Sequence, residues 1–241
     1  MRKAKPYEVL SRFYAYLMRD IDYVAWAEYL RDIIAENIEL PRVALELASG
    51  NGRLAALLAE KLDAKIFASD LSKEMLLFAP ENLPKTVCDM RALPFASEFD
   101  LIFSAFDSVN YLTHPEDLLA FFSETAKILG DNGVLLFDVS LENNSLNNAR
   151  FFNRSGNFGE IFFEQKSVYD EKKRIHTNEF VIKYDGFVYR EKHEQKIYPF
   201  FDYFNFLEKA GLFVSACYDA FTFDDATPES ERAQFVVRKA L

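Results

Sequence analysis

The stretch Leu45-Glu46-Leu47-Ala48-Ser49-Gly50-Asn51-Gly52-Arg53-Leu54-Ala55 decides the fold. It closes an apolar run, Val43–Leu47, that reads as a short buried strand. It then passes through small residues into Arg53–Leu62, where Leu54, Leu57, Leu58 and Leu62 recur at helical spacing. A strand turning through small residues into a helix lets backbone come close to a ligand at the helix N-terminus.

Working outward, 65–69 reads as a second strand ending at Asp70, with Ser72 placed to cap a helix running through Phe78. Residues 86–88 make a third strand ending at Asp89, and 99–103 and 134–138 a fourth and fifth, with a helix over 118–129 between them. Strands alternating with helices mean an α/β fold with a doubly wound, mostly parallel sheet. Upstream, Tyr7, Leu10, Tyr14 and Leu17, then Tyr23, Trp26, Leu30, Ile33 and Ile34, predict two helices broken near Asp20–Asp22 and stopped by Pro41. After Ser140 the pattern changes. The Asn-rich 141–157 reads as a loop, and 161–169, 174–184 and 187–198 are β-rich, with Asp185-Gly186 a strong two-residue hairpin signal. This is an antiparallel β insert after strand five. A helix over about 199–210, stopped by Gly211, and strands near 212–220 and 234–238 then return to the main sheet. The expectation is one domain over 1–241: a helical lid (1–40), a ligand-binding core (41–140), the insert (141–198) and the return (199–241).

Composition narrows the function. Lys and Arg number 28 against 38 Asp and Glu, a net charge of −10, and half the residues are hydrophobic, with 25 Phe and 12 Tyr. That apolar content excludes a disordered chain. The acidic balance argues against a dedicated nucleic-acid binder, whose affinity rests on neutralising phosphates. Two cysteines, Cys88 and Cys217, make no disulfide scaffold and read as buried small hydrophobes. The basic start is interrupted by Pro6, Glu8, Arg12 and Arg19, and no run approaches a membrane span, so a soluble, cytoplasmic protein with no membrane partner is expected.

Gly50 to Ala55 also fits G-x-G-x-x-A, a dinucleotide pattern, and Asp70 could hold ribose hydroxyls in a nicotinamide or an adenosylmethionine site alike. Glu46, inside the strand four positions before Gly50, and Asp89, ending the third strand, favour the second. Three carboxylates then stand at the carboxyl ends of three successive strands, the edge where such sheets bind ligands. S-adenosylmethionine offers an ammonium, ribose hydroxyls and an adenine amino group to three separated acceptors, whereas a dinucleotide needs donors for its pyrophosphate.

Over essentially its whole length the chain resembles the class I S-adenosylmethionine-dependent methyltransferases. Glu46–Gly52 resembles their glycine-rich first motif, Asp70-Leu71-Ser72-x-x-Met75-Leu76 the second and Asp89-Met90-Arg91 the third. Phe99–Ile102 with Asp107-Ser108-x-Asn110-Tyr111-Leu112 is similar to the fourth-strand motif, and 129–138 to the entry into strand five. Tyr14-x-x-Leu17-Met18-x-Asp20-x-Asp22-Tyr23, His193-Glu194-Gln195 with Pro199, and Pro228-x-Ser230-Glu231-Arg232 resemble the bacterial YqeM-type subgroup; the insert is similar to that of the glycine and macrolide-sugar N-methyltransferases. Ala48 departs from the pattern, standing where the family has its first glycine. The resemblance implies a seven-stranded Rossmann-like sheet and S-adenosylmethionine as cofactor, with S-adenosylhomocysteine as product. It places Glu46 and Gly50 near the methionine end, Asp70 on the ribose, Leu71 and Met75 on the adenine and Asp89 with Met90 at the adenine amino group, with Ala48 and Gly52 also among the cofactor-binding residues. Phe106 would lie near the sulfonium and Tyr14 close over the cofactor.

Methyl transfer from a sulfonium is an in-line displacement, so alignment and a desolvated pocket matter most. The absence of a nucleophile set or of metal-ligand spacing agrees with that, and there are only three histidines. His193 and Glu194 are the acid/base candidates; adjacent on a strand, they point to opposite faces and only one can meet the site. Tyr7, Asp107, Asn110 and Tyr111 are expected on the acceptor side. The reading is methyl transfer to an N or O atom of a small-molecule acceptor. RNA or protein methylation, an NAD(P)-dependent oxidoreductase and a non-catalytic adenosylmethionine-binding protein are the alternatives. The aromatic density of the insert suits an acceptor pocket or a homodimer interface.

Overall fold

The computed structural model describes residues 1–96 and 98–240. Strand β1 (Arg2–Lys3) leads through a 3-10 turn at Leu10–Phe13 into the single-turn helix α1 (Tyr14–Leu17) and then α2 (Tyr23–Asn37). The core alternates β2 (Val43–Leu47), α3 (Arg53–Leu62), β3 (Lys65–Asp70), α4 (Lys73–Leu76), β4 (Lys85–Val87), β5 (Phe99–Ser104), α5 (Pro115–Ile128) and β6 (Leu129–Ser140). Helix α6 (Glu142–Asn148) opens the insert, which continues as β7 (Arg154–Phe158), β8 (Ile161–Asp170), β9 (Ile175–Tyr184) and β10 (Phe187–Lys196). The chain closes with α7 (Phe200–Lys209), β11 (Leu212–Asp219) and β12 (Arg232–Lys239).

The main sheet has seven strands in the order β11-β12-β6-β5-β2-β3-β4, parallel from β6 to β4, with β12 antiparallel to both neighbours. Strand order reverses beside β2: β3 lies on one side and β5 on the other. That reversal opens a crevice at the carboxyl ends of the strands. Side-chain alternation divides the core between the two faces. Leu45, Leu47, Phe137 and Phe235 pack with α5 and α7, while Ala44, Phe103, Leu136 and Val236 pack with α2 and α3. The second sheet, β1-β10-β9-β8-β7, is antiparallel except that β1 runs parallel to β10. Its apolar face carries Ile161, Phe163, Phe180 and Ile182 against Val9, Leu10, Phe13 and Leu17 of the N-terminal segment.

Three local expectations are corrected. The first predicted helix is a 3-10 turn and one α-turn, because the backbone N–H groups of Tyr7, Val9 and Leu10 all donate to the carboxylate of Glu191 instead of to a preceding turn. Ser72 caps α4 as expected, its Oγ accepting from Met75 N–H at 3.1 Å, yet α4 ends at Leu76, with Pro80 close behind. The supposed loop 141–157 contains α6 and β7. The asparagines bond along α6 (Asn144 to Ser140 Oγ, Asn148 to Asn144 Oδ1) and out to Glu231, so they support helix where isolated asparagine favours loops. Asp185-Gly186 forms the tight hairpin, with φ of 51° and 72°.

Candidate active site

The loop after β2 is shaped by left-handed backbone at Ala48 (φ 55°), Gly50 (φ 57°) and Gly52 (φ 66°). Ala48 holds this conformation with a Cβ, which costs on the order of 1 kcal/mol. Asp70, at the end of β3, ties the neighbouring loop ends together: Gly50 N–H donates to its Oδ2 and Ser72 N–H to its Oδ1, both at 2.7 Å. Together these loops floor a cavity of about 990 Å³ at the crevice. Ala48, Gly50, Asp70, Leu71, Met75, Met90 and Phe106 line it, as do Tyr14, Tyr7 and Tyr111 on the side toward the second sheet.

Three expected cofactor residues do not line it. Gly52 faces the other way: a Cβ there would meet Leu83 Cδ2 at 2.7 Å and Ala79 Cβ at 3.1 Å, so its glycine serves packing. Asp89 turns its carboxylate to Arg91, whose Nε lies 3.0 and 3.1 Å from its two oxygens, and the guanidinium holds its carboxyl below the usual range. Arg91 reaches on to Asp117 at 2.9 Å, and the cavity wall there consists of Cys88, Met90 and Arg91. Glu46 is buried within β2, immediately before the floor.

Glu46 supplies the electrostatic signature of the site. It is 2 % exposed, its Oε2 has no hydrogen-bond partner, and the buried Ser49 Oγ nearby in the chain has none either. Burial pushes its carboxyl well above the ordinary range, the Ala55 backbone pulling it only partly back. Asp70 is raised by burial too. Carboxylates held out of water with acceptor capacity to spare suit an ammonium and hydroxyl donors. That is the donor set S-adenosylmethionine presents, and the residues present fit it.

On the acceptor side the structure separates the expected residues. Tyr7 and Tyr111 join through their hydroxyls at 2.7 Å. His193 lies behind them, 3 % exposed, with Nδ1 at 3.2 Å from Tyr111 Oη. Glu194 points to the opposite face of β10, exposed and paired with Lys192 at 2.8 Å, so it is not an acid/base group of this cavity. Asp107 is turned away into an ion pair with Arg232 at 2.7 Å and also receives Gln195. Asn110 is fully buried and structural, its amide donating to Ser140 O and Lys196 O and its Oδ1 accepting Ser140 N–H.

Asp138, Arg232 and Trp26, to which no site role was expected, build the wall behind Phe106 and Asp107. Phe106 and Asp107 both have left-handed backbone (φ 59° and 49°), and Asp107 N–H donates to Asp138 Oδ2 at 2.9 Å. Arg232 joins Asp107 and Asp138, and its guanidinium lies over Trp26, whose ring packs on Phe106 at 4.5 Å. Glu191 went unremarked although Glu191 and His193 stand two apart. That spacing puts them on one strand face, and the face proved to be the buried one.

Comparison with known proteins agrees with this geometry. Residues 44–133 match the family model described as a methyltransferase domain. The chain is 29 % identical to the Bacillus subtilis (strain 168) protein named "Putative methyltransferase YqeM", covering 97 % of each chain. An S-adenosylmethionine-dependent methyltransferase from Clostridium acetobutylicum ATCC 824 superposes with a TM-score of 0.78 at 25 % identity, over 98 % of this chain and 99 % of that one. The sugar N-methyltransferase KedS8 from Streptoalloteichus sp ATCC 53650 shares the fold, with a TM-score of 0.73 at 21 % identity over 96 % and 93 %. Fold, cavity and relatives make this chain an S-adenosylmethionine-dependent methyltransferase, similar over its length to the YqeM-type protein. Its methyl donor is S-adenosylmethionine. Among the described residues no helix is long and apolar enough to cross a membrane.

Proposed function

We propose that the enzyme methylates an N or O atom of a small molecule bound in the same cavity as the methyl donor. The observation that carries this is the continuity of that cavity. It runs from the loop after β2, past Asp70 and Phe106, to the Tyr7–Tyr111 hydroxyl pair. About 990 Å³ suits a cofactor and a modest acceptor together, within the range of small-molecule sites.

When bound, the cofactor supplies an electrophilic methyl group on a sulfonium. The protein's part is alignment. The Ser49 hydroxyl on the floor, with Glu46 buried before it, would receive the methionine ammonium, Asp70 would take the ribose hydroxyls, and Leu71, Met75 and Met90 would hold the adenine. Phe106, backed by Tyr23 and Trp26 at 5.2 and 4.5 Å, gives a rigid apolar wall beside the reacting centre. Tyr14 closes over the cofactor from the N-terminal segment, and Tyr7 and Tyr111 face the acceptor. Holding nucleophile and methyl in line accounts for most of the rate such an enzyme needs to supply. The fold likeness to a sugar N-methyltransferase supports a polar, amine- or hydroxyl-bearing acceptor.

Calorimetric titration with S-adenosylhomocysteine, with NAD and NADP as controls, tests the donor half. Transfer of radiolabelled methyl to a panel of small amines, phenols and sugars tests the acceptor half. Labelling of RNA or protein and of no small molecule would overturn the acceptor class.

A further inference from the structure

Behind the two tyrosines lies a buried acid–base pair that nothing in the donor half uses. On β10, Glu191 is fully buried and His193 nearly so. His193 Nε2 lies 3.4 Å from Glu191 Oε2 without a hydrogen bond to it or to any other group, while Nδ1 faces Tyr111 Oη at 3.2 Å. Tyr111 Oη in turn meets Tyr7 Oη at 2.7 Å, and both tyrosines line the cavity. The imidazole is packed against Tyr7 and Phe180 with T-shaped ring contacts and is almost wholly out of solvent.

We propose that Tyr7, Tyr111, His193 and Glu191 form a proton relay that drains the acceptor's proton inward from the cavity. This rests on the acceptor reading above. The direction follows from the partners. The charged group nearest Nε2 is a carboxylate oxygen, which repels a lone pair and attracts an N–H, so the favoured tautomer carries its proton on Nε2 and leaves a bare Nδ1 toward Tyr111. Tyr111 then donates to Nδ1, Tyr7 donates to Tyr111, and the Tyr7 oxygen presents a lone pair to the cavity. Glu191 is fixed in place by the N–H groups of Tyr7, Val9 and Leu10 at 2.9, 2.6 and 2.9 Å.

As the acceptor's lone pair takes the methyl group, the electron pair of the carbon–sulfur bond stays on sulfur. The acceptor's surplus proton passes to Tyr7 Oη, the Tyr7 proton to Tyr111, and the Tyr111 proton to His193 Nδ1. The imidazolium then faces Glu191. Burial raises both phenols well above their ordinary range, so neither is a resting base and the proton has to travel the whole chain. The acceptor class that needs this is one with a lone pair to give and a proton to lose at transfer: an alcohol, a phenol or a neutral primary or secondary amine.

Three histidines make the test direct. Protein labelled with nitrogen-15 histidine and loaded with S-adenosylhomocysteine is examined by two-dimensional NMR, His193 being assigned by the signal lost in His193→Gln. The expected result is a neutral His193 protonated at Nε2, with an Nδ1 resonance that moves in Tyr111→Phe. A proton on Nδ1, or an Nδ1 resonance indifferent to Tyr111→Phe, overturns the relay. This readout needs no acceptor. On an acceptor from the radiolabelling panel, His193→Gln and Tyr7→Phe should lower kcat about 10²-fold with KM and S-adenosylhomocysteine affinity nearly unchanged. A fall in S-adenosylhomocysteine affinity with unchanged kcat would make His193 merely structural. If no panel member is methylated, the small-molecule reading fails while the NMR result still decides the relay.

Discussion

Gly50 and Gly52 are two residues apart and both left-handed, yet a methyl group at each meets different neighbours. At Gly50 the added Cβ falls 3.1 Å from Met75 Cε, the flexible end of a cavity-lining side chain. Gly50→Ala should weaken S-adenosylhomocysteine binding about tenfold in calorimetry, with a modest loss of stability from the backbone strain, on the order of 1 kcal/mol. At Gly52 it falls 2.7 Å from Leu83 Cδ2 and 3.1 Å from Ala79 Cβ, inside packed core. Gly52→Ala should cost about 2–4 kcal/mol in urea unfolding, strain and overpacking together. Glu46 makes a linkage prediction. Burial holds its carboxyl protonated to unusually high pH in the free protein, and an arriving ammonium reverses that. Cofactor binding should therefore release a proton, seen as a dependence of calorimetric enthalpy on buffer ionisation, and Glu46→Gln should remove it. Asp138 makes a second, through stability. Burial outweighs Arg232 and pushes its carboxyl up from 3.8 to about 6. The folded protein then binds this proton more tightly than the unfolded chain. The group's stabilisation is thus complete below about pH 3.8 and lost as pH rises through about 6. The difference in unfolding free energy between wild type and Asp138→Asn should fall across that window by on the order of 3 kcal/mol.

At the level of elements, the N-terminal segment is held by β10 more than by its own helical bonds. It contributes Val9, Leu10, Phe13 and Leu17 to the apolar layer under the second sheet, and its backbone donors converge on Glu191. Removing that acceptor leaves three N–H groups unsatisfied in a buried place, a large penalty for one substitution. Glu191→Ala should free residues 5–12 to proteolysis, with trypsin cutting after Arg12 many times faster than in wild type. S-adenosylhomocysteine affinity should drop with it, since Tyr7 and Tyr14 lose their seat over the cavity. Unchanged cleavage would show that the apolar layer alone holds the segment.

The whole molecule carries one tryptophan, and it sits at the junction of the cavity wall and the Arg232 network. Trp26 fluorescence should change on S-adenosylhomocysteine addition without any engineered probe, and lose that response in Phe106→Ala. A ligand at a hundred times its Kd adds about 2.7 kcal/mol to the unfolding free energy, so the melting temperature should rise by several degrees with the product and not with NAD.

The alternation of strand and helix, the loop of small residues after β2, the Ser72 cap and the Asp185-Gly186 turn were all readable from the chain, because each is decided by neighbours within a few positions. The same holds for Glu46 and Asp70: an acidic residue inside or ending an apolar strand already stands out. Tertiary structure alone decided what those carboxylates face and which expected residues belong to the cavity. Asp89 pairs with Arg91 and Asp107 with Arg232 across 125 residues, and Asn110 stitches β6 to the end of β10. In the relay, Tyr7 and Glu191 alone stand 184 residues apart in the chain. Local pattern records which face of an element is apolar; it does not record which remote side chain will satisfy a buried charge, because that partner is chosen only when the sheets close on one another.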